Sequence, residues 1–317
     1  MAEADVGDEQ RFLDPTVNAL QERVAELLGH EAGLFLPSGT MCNLIGFRLH
    51  LRAGGDEAIV HRDSHPVNFE AGSPAAISHA MTRQLDGEGG IFSPEQVEAA
   101  VRPPGDRYAP RTRLVSVEQT TNLGGGRVWP LEAVRGVLDV AARHDLRTHL
   151  DGARLMNAVV ASGVAAADWA SGFDTAWVDF TKGLGAPVGA VLCGSRDLID
   201  EAWRWKQMLG GALRQAGVLA AACLYALDTH VERLAEDHEH ALLVAKGLSD
   251  LGLDVVPPDS NIVVVRASDA PGLVGRLWDA GVQVTPLGPD RFRCVTHLDV
   301  DRDEIERALG AFREVLR

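Results

Sequence analysis

Apolar residues at Val17, Leu20, Val24, Leu27 and Leu28 recur at the spacing of one helical face. Asp14 is placed to cap that helix, and Pro15 falls in its first turn, where a missing N–H costs nothing; Gly29 offers a stop. A short apolar run, Leu34-Phe35-Leu36, leads into Pro37-Ser38-Gly39-Thr40, and a second, apolar helix is expected from there towards Leu51. Strand-like runs then follow at 58–61, 114–118, 146–151, 175–180 and 188–193, with helical stretches between several of them, notably 131–144. This alternation predicts an α/β unit with a mostly parallel sheet and helices on both faces. Residues 195–228 read as two helices separated by Gly210-Gly211, and a long helix rich in charge and leucine follows at 231–251.

Past Pro257-Pro258 the pattern changes. Strands are expected at 261–266, 283–286 and 291–296, and helices at 270–280 and 301–316. The expected organisation is a large domain over 1–230, its N-terminal arm and helix (1–30) included, and a small C-terminal α+β domain over 231–317.

At 317 residues the chain is long enough for either one large domain or two ordinary ones. Its net charge of −15 repels nucleic acid and anionic membrane at long range, so neither is expected as a partner. A local pocket of amides and a few cations can still hold an anion. The four cysteines (Cys42, Cys193, Cys223, Cys294) are scattered without a CxxC pair and read as reduced, mostly buried thiols. The histidines form no HExxH arrangement, and no metal is expected. No apolar run reaches the roughly 18–20 residues that span a bilayer, and the first ten residues lack an apolar signal core, so the cytoplasm is the expected location.

Two residues at strand ends carry the candidate chemistry. Asp151 closes an apolar strand in His149-Leu150-Asp151-Gly152, and ligands of open α/β sheets sit beyond the carboxyl ends of strands. Lys182, in Phe180-Thr181-Lys182-Gly183, comes directly after the next strand-like run. Alone, Asp151 reads as a helix cap and Lys182 as a solvated lysine. Together they can face one crevice. Pyridoxal phosphate requires such a set: a lysine for its aldehyde, a carboxylate that keeps its pyridine nitrogen protonated, and helix-terminal N–H groups for its phosphate. Ser38-Gly39-Thr40 opening a helix fits the third need, and His65 is a candidate to stack on the ring.

Seven stretches in order, DPTVNALQERVAELLG, FLPSGTMCN, HPVNFEAG, HLDGARLMNAVVASGV, TKGLGAPVGAVLCG, MLGGALRQAGVLAAA and RCVTHLDV, span positions 14 to 300. They resemble the low-specificity threonine aldolases, within the β-eliminating lyase group of fold-type-I pyridoxal-phosphate enzymes. The resemblance implies a seven-stranded sheet, with Lys182 as the Schiff-base lysine and Asp151 as the partner of the pyridine nitrogen. It implies Ser38, Gly39, Thr40 and Thr181 among the cofactor contacts, with His65 on the ring; His65, or a water it orients, is the candidate base. Arg154 would contact the cofactor's phenolic oxygen or the substrate carboxylate, and Arg293 would clamp that carboxylate. Arg214 lies in a segment that in this family often meets the neighbouring subunit's cofactor, and a homo-oligomer, a dimer of dimers with active sites near the dimer interface, is implied. The implied reaction is cleavage of L-threonine or L-allo-threonine to glycine and acetaldehyde; β-elimination, racemisation, transamination and an impaired member remain as alternatives.

Departures fall in the substrate shell. The family's Thr-His-Asn reads Thr120-Thr121-Asn122, so Thr121 is expected beside the substrate's β-substituent. A tyrosine of many members is replaced by Arg11, with Phe12 beside it, and the lysine before Met-Leu-Gly-Gly reads Gln207, with Lys206 one position earlier. The family's N-terminal Arg-Ser-Asp run has no counterpart in the opening MAEADVGDEQ, where either a shortened member or a late-placed start is expected.

Overall fold

A computed structural model describes all 317 residues. The first helix, Pro15–Leu28, has the expected ends: Asp14 accepts from Val17 N, and Gly29 turns left-handed at the exit with φ of 70°. Its apolar stripe (Val17, Leu20, Val24, Leu28) is fully buried in the main core. Asp14 does more than cap. It is itself buried and accepts backbone N–H bonds from Gly7 (3.1 Å), Val17 (3.0 Å) and Gly217 (2.8 Å), tying the N-terminal segment and its own helix to the distant Gly217. Asp14→Ala is therefore expected to lower unfolding free energy by about 2 kcal/mol, more than a surface cap contributes. A urea titration checks this, and a loss below about 0.5 kcal/mol would show the three bonds to be dispensable.

The main sheet has seven strands: β1 (Ala32–Leu36), β2 (Asp56–His61), β3 (Met81–Leu85), β4 (Arg111–Glu118), β5 (Arg147–Asp151), β6 (Thr175–Asp179) and β7 (Ala190–Gly194). They lie in the order β1-β7-β6-β5-β4-β2-β3. From β3 through β6 all pairings are parallel, whereas β7 runs antiparallel to both β1 and β6. The mostly parallel sheet is as expected. β2, β6 and β7 are buried along their whole length, which explains their apolar centres; the buried Asp56 and Glu57 kept the start of β2 out of the expected strand at 58–61. β3, in contrast, escapes sequence reading. It is an edge strand of sequence MTRQL, exposed or half-buried throughout, and has no apolar face to reveal it.

A second, antiparallel sheet has the order β10-β11-β9-β8, from β8 (Asp254–Val256), β9 (Ile262–Arg266), β10 (Thr285–Pro286) and β11 (Arg291–Val295). Helices Leu234–Asp250, Ala270–Asp279 and Arg302–Val315 enclose with it a separate core, in which Phe292 and Phe312 stack at 6.1 Å. The three-residue β8 is too short for periodicity to show, and β10 is half the length that 283–286 suggested. All four thiols are unpaired and buried. No helix is long and apolar enough to cross a membrane.

The placement of the site follows from the parallel pairing. Neighbouring parallel strands end at one edge of the sheet, and β4, β5 and β6 end there in Glu118, Asp151 and Asp179. Helix Gly39–His50 starts nearby, capped by Ser38, whose side chain accepts from Met41 N at 3.3 Å.

Candidate active site

A cavity of about 330 Å³ opens at these strand ends. Ser38, Gly39, Thr40, His65, Asp151, Arg154, Thr181, Lys182 and Arg293 all line it. Residues from five separated parts of the sequence are thus brought to one wall. Gly39 is required by close approach: a Cβ there would come within 2.4 Å of the Trp177 ring and 2.8 Å of Asp179 Oδ2. The helix thus begins against Trp177 and Asp179 at the cavity wall, with its positive end there.

Asp151 is fully buried. Its Oδ2 accepts from Asn43 Nδ2 at 2.7 Å and its Oδ1 from Ala153 N at 3.0 Å. Burial and the neighbouring charge of Glu118 push the carboxyl up to about 7, against the opposing pull of Asn43 and His65. A cationic or N–H donor in the cavity would relieve that cost. Glu118, also buried and raised by burial, accepts from the backbone N–H of His65 (2.7 Å) and Asn122 (2.6 Å). His65 Nδ1 lies 2.8 Å from Glu70 Oε1. Burial opposes charge on this imidazole, but the Glu70 hydrogen bond and the charges of Asp151, Glu70 and Glu118 outweigh it and raise the proton affinity.

Lys182 Nζ stands 3.8 Å from Asp179 Oδ2, with 42% of its side chain exposed. Thr181 hydrogen-bonds Asp179 Oδ1 through its hydroxyl at 2.6 Å. In the same cavity Arg154 and Arg293 both donate to Asn122 Oδ1, Arg154 at 3.4 Å. Burial and the repulsion of Arg293 lower Arg154 to about 10, and burial lowers Arg293 as well. Arg293 Nε and Thr120 Oγ1, both on residues of the cavity wall, are buried without any hydrogen-bond partner. Two guanidinium groups around one neutral amide have the donor geometry that could receive a carboxylate.

One expected residue lies elsewhere. Thr121 is absent from the wall: its Oγ1 donates to Gly89 O at 2.7 Å and accepts from Arg127 N at 3.2 Å, so it serves the loop. Thr120 and Asn122 border the cavity at this point instead. Arg214, expected at a neighbouring subunit's cofactor and not at this chain's own, is exposed outside the cavity and paired with Asp8 at 3.0 Å. Beside it, Glu9 accepts from Leu213 N at 2.7 Å and pairs with the buried Lys206, which fastens the N-terminal segment to this loop.

Sequence reading missed Asn43, Glu70, Glu118, Trp177 and Asp179. A signal for two of them was present: three strands end alike in an acid, at Glu118, Asp151 and Asp179. Asn43 carries none, lying four residues into an apolar helix. His61 and His65 stand four residues apart, a spacing some metal ligands use. However, the His61 ring lies 3.1 Å from Gly87 O while His65 engages Glu70.

The donor set fits pyridoxal phosphate: a free lysine amine, a buried carboxylate that needs a proton donor, and a helix N-terminus with adjacent hydroxyls in one cavity. Comparison with known proteins agrees. The beta-eliminating lyase family matches residues 1–270. The low specificity L-threonine aldolase of Escherichia coli K12 is 38% identical over 321 residues, covering 100% of this chain and 94% of that protein. The probable low-specificity L-threonine aldolase 2 of Arabidopsis thaliana is 38% identical over 326 residues, covering 99% and 92%. A solved threonine aldolase of Leishmania major superposes with a TM-score of 0.85 over 96% of this chain and 91% of that one; at 20% identity this likeness speaks for the fold alone.

Proposed function

This chain belongs to the beta-eliminating lyase family and is a pyridoxal-phosphate-dependent lyase, and we propose that its reaction is cleavage of a β-hydroxy-α-amino acid, L-threonine or L-allo-threonine, to glycine and acetaldehyde. The carrying observation is the pair of arginines that line the same cavity as Lys182 and Asp151. It offers a seat for an amino-acid carboxylate beside the groups that hold the cofactor.

Bound pyridoxal phosphate supplies an aldehyde that takes up amines and a protonated ring that accepts an electron pair from the substrate. Lys182 would hold the aldehyde carbon between turnovers, and Asp151 the ring nitrogen in its protonated form. The helix N-terminus at Gly39, with Ser38, Thr40 and Thr181 near it, would hold the phosphate. Arg154 and Arg293 orient the substrate through its carboxylate. His65 is the residue placed to accept the β-hydroxyl proton as the Cα–Cβ bond breaks. Phe69, its ring 5.4 Å from that of His65, also borders the cavity.

Acetaldehyde release from both substrates, followed with a coupled alcohol dehydrogenase, tests the reading. Cofactor binding without aldehyde from a panel of β-hydroxy amino acids would point to β-elimination instead. Arg293→Ala is expected to raise KM for the amino acid by about 10- to 100-fold with a smaller change in kcat, because a charge-assisted pair to the carboxylate is lost. An unchanged KM would remove Arg293 from the carboxylate site. We also infer a homo-oligomer. Phe12, Leu13 and Met208 are exposed apolar side chains near the Asp8–Arg214 pair, where an interface would cover them. Light scattering of the purified protein decides this point.

A further inference from the structure

A line of hydrogen bonds runs from the strand ends far from the cavity into the cavity, and its direction follows atom by atom. Trp177 Nε1 lies 2.8 Å from one side-chain atom of Asn43. An indole nitrogen only donates, so that atom is the carbonyl oxygen Oδ1, and the Asn43 amide nitrogen faces Asp151 and Glu70. His149 Nε2, 3.1 Å from the same oxygen, must then carry a hydrogen. His149 is fully buried, and burial with the charge of His50 holds it down to about 3. Its ring is therefore neutral and its Nδ1 is a lone pair. That lone pair takes the Thr175 hydroxyl hydrogen at 2.8 Å. The Thr175 oxygen has no second hydrogen and accepts from His50 Nε2, also at 2.8 Å.

Towards the cavity the direction is equally fixed. Asn43 gives its two amide hydrogens to Asp151 Oδ2 at 2.7 Å and Glu70 Oε1 at 2.8 Å. Glu70 is an acceptor in this arrangement, so His65 Nδ1 donates to it at 2.8 Å. A neutral His65 then keeps its lone pair at Nε2. The fold makes room for the middle of the line: a Cβ at Gly46 would come within 2.4 Å of His149 Cε1, so the helix carries glycine where the ring is seated.

We propose that His149 is a positioning residue, which through Asn43 holds the carboxylates of Asp151 and Glu70 and so makes Nε2 the proton-accepting atom of His65. His50 and Thr175 serve the same end by fixing which nitrogen of His149 carries the hydrogen. The inference deepens the reading of Asp151 and His65 as cofactor- and substrate-facing groups, and rests on it.

Neutron diffraction from deuterated crystals of the ligand-free protein, held about two pH units above the ordinary imidazole value, reads the protons directly. Deuterium is expected at Nε2 of His50 and His149, on the Thr175 hydroxyl pointing at His149, and at Nδ1 alone of His65. Deuterium at Nδ1 of His149, or at Nε2 alone of His65, would overturn the proposal. Thr175→Val and Thr175→Ser test the consequence at a residue outside the cavity. With folding checked by circular dichroism, the valine variant is expected to bind pyridoxal phosphate about 10-fold more weakly, the scale of one lost supporting hydrogen bond, and the serine variant to bind as the parent does. Equal affinity in all three, or equal loss in both variants, would reduce the line to packing. A parent protein that binds no pyridoxal phosphate would count against the cofactor reading, and the proton positions would still decide the hydrogen-bond line.

Discussion

Lys182→Ala is expected to abolish borohydride fixation of the cofactor and to lower turnover by about 10³-fold or more while leaving the fold intact. The fold should survive because the side chain is nearly half exposed and its one ionic neighbour, Asp179, is 3.8 Å away. Removing such a group costs no more than about 0.5 kcal/mol. The chemistry should not survive, because no other amine lines the cavity. The parent protein should be yellow, and reduction should attach the cofactor to the peptide containing Lys182. If the alanine variant still traps the cofactor covalently, another lysine holds it and the assignment is wrong.

Asp151→Asn should cost about 10²- to 10⁴-fold in turnover, since a neutral amide cannot keep the ring nitrogen protonated. It also carries a signature in the ligand-free protein. The folded Asp151 carboxyl, raised to about 7, stands above its ordinary 3.8. Its contribution to stability is therefore fully present below about 3.8 and lost as pH rises through about 7. The asparagine variant lacks this loss. Its melting temperature relative to the parent should be higher at about pH 8 than at about pH 5, and added cofactor should narrow the gap by giving the parent carboxylate a partner. A gap independent of pH would show that Asp151 is already ionised in the empty site.

Much of the site is legible in the sequence. Asp14, Pro15 and Gly29 bracket the first helix by local rules of capping and backbone freedom, which act within a few residues. Strands buried on both faces announce themselves as apolar runs, and the edge strand Met81–Leu85, which has no buried face, does not. Lys182, Asp151, Arg154, Arg293, His65 and the Ser38-Gly39-Thr40 turn were all identified as residues and are all found in one wall.

The sequence by itself determined which chemical groups this protein has and roughly which strand or helix end bears each one, because periodicity and capping are short-range. Only the tertiary structure decided how those groups are held. Asn43 meets Asp151 across 108 positions and Trp177 across 134, and Arg293 reaches Asn122 across 171. Such pairings depend on strand order and on which face a side chain takes, and no local pattern encodes either. For the same reason Thr121 was expected in the substrate wall and is found holding a loop, since one residue of rotation along the chain exchanges it for Thr120 and Asn122.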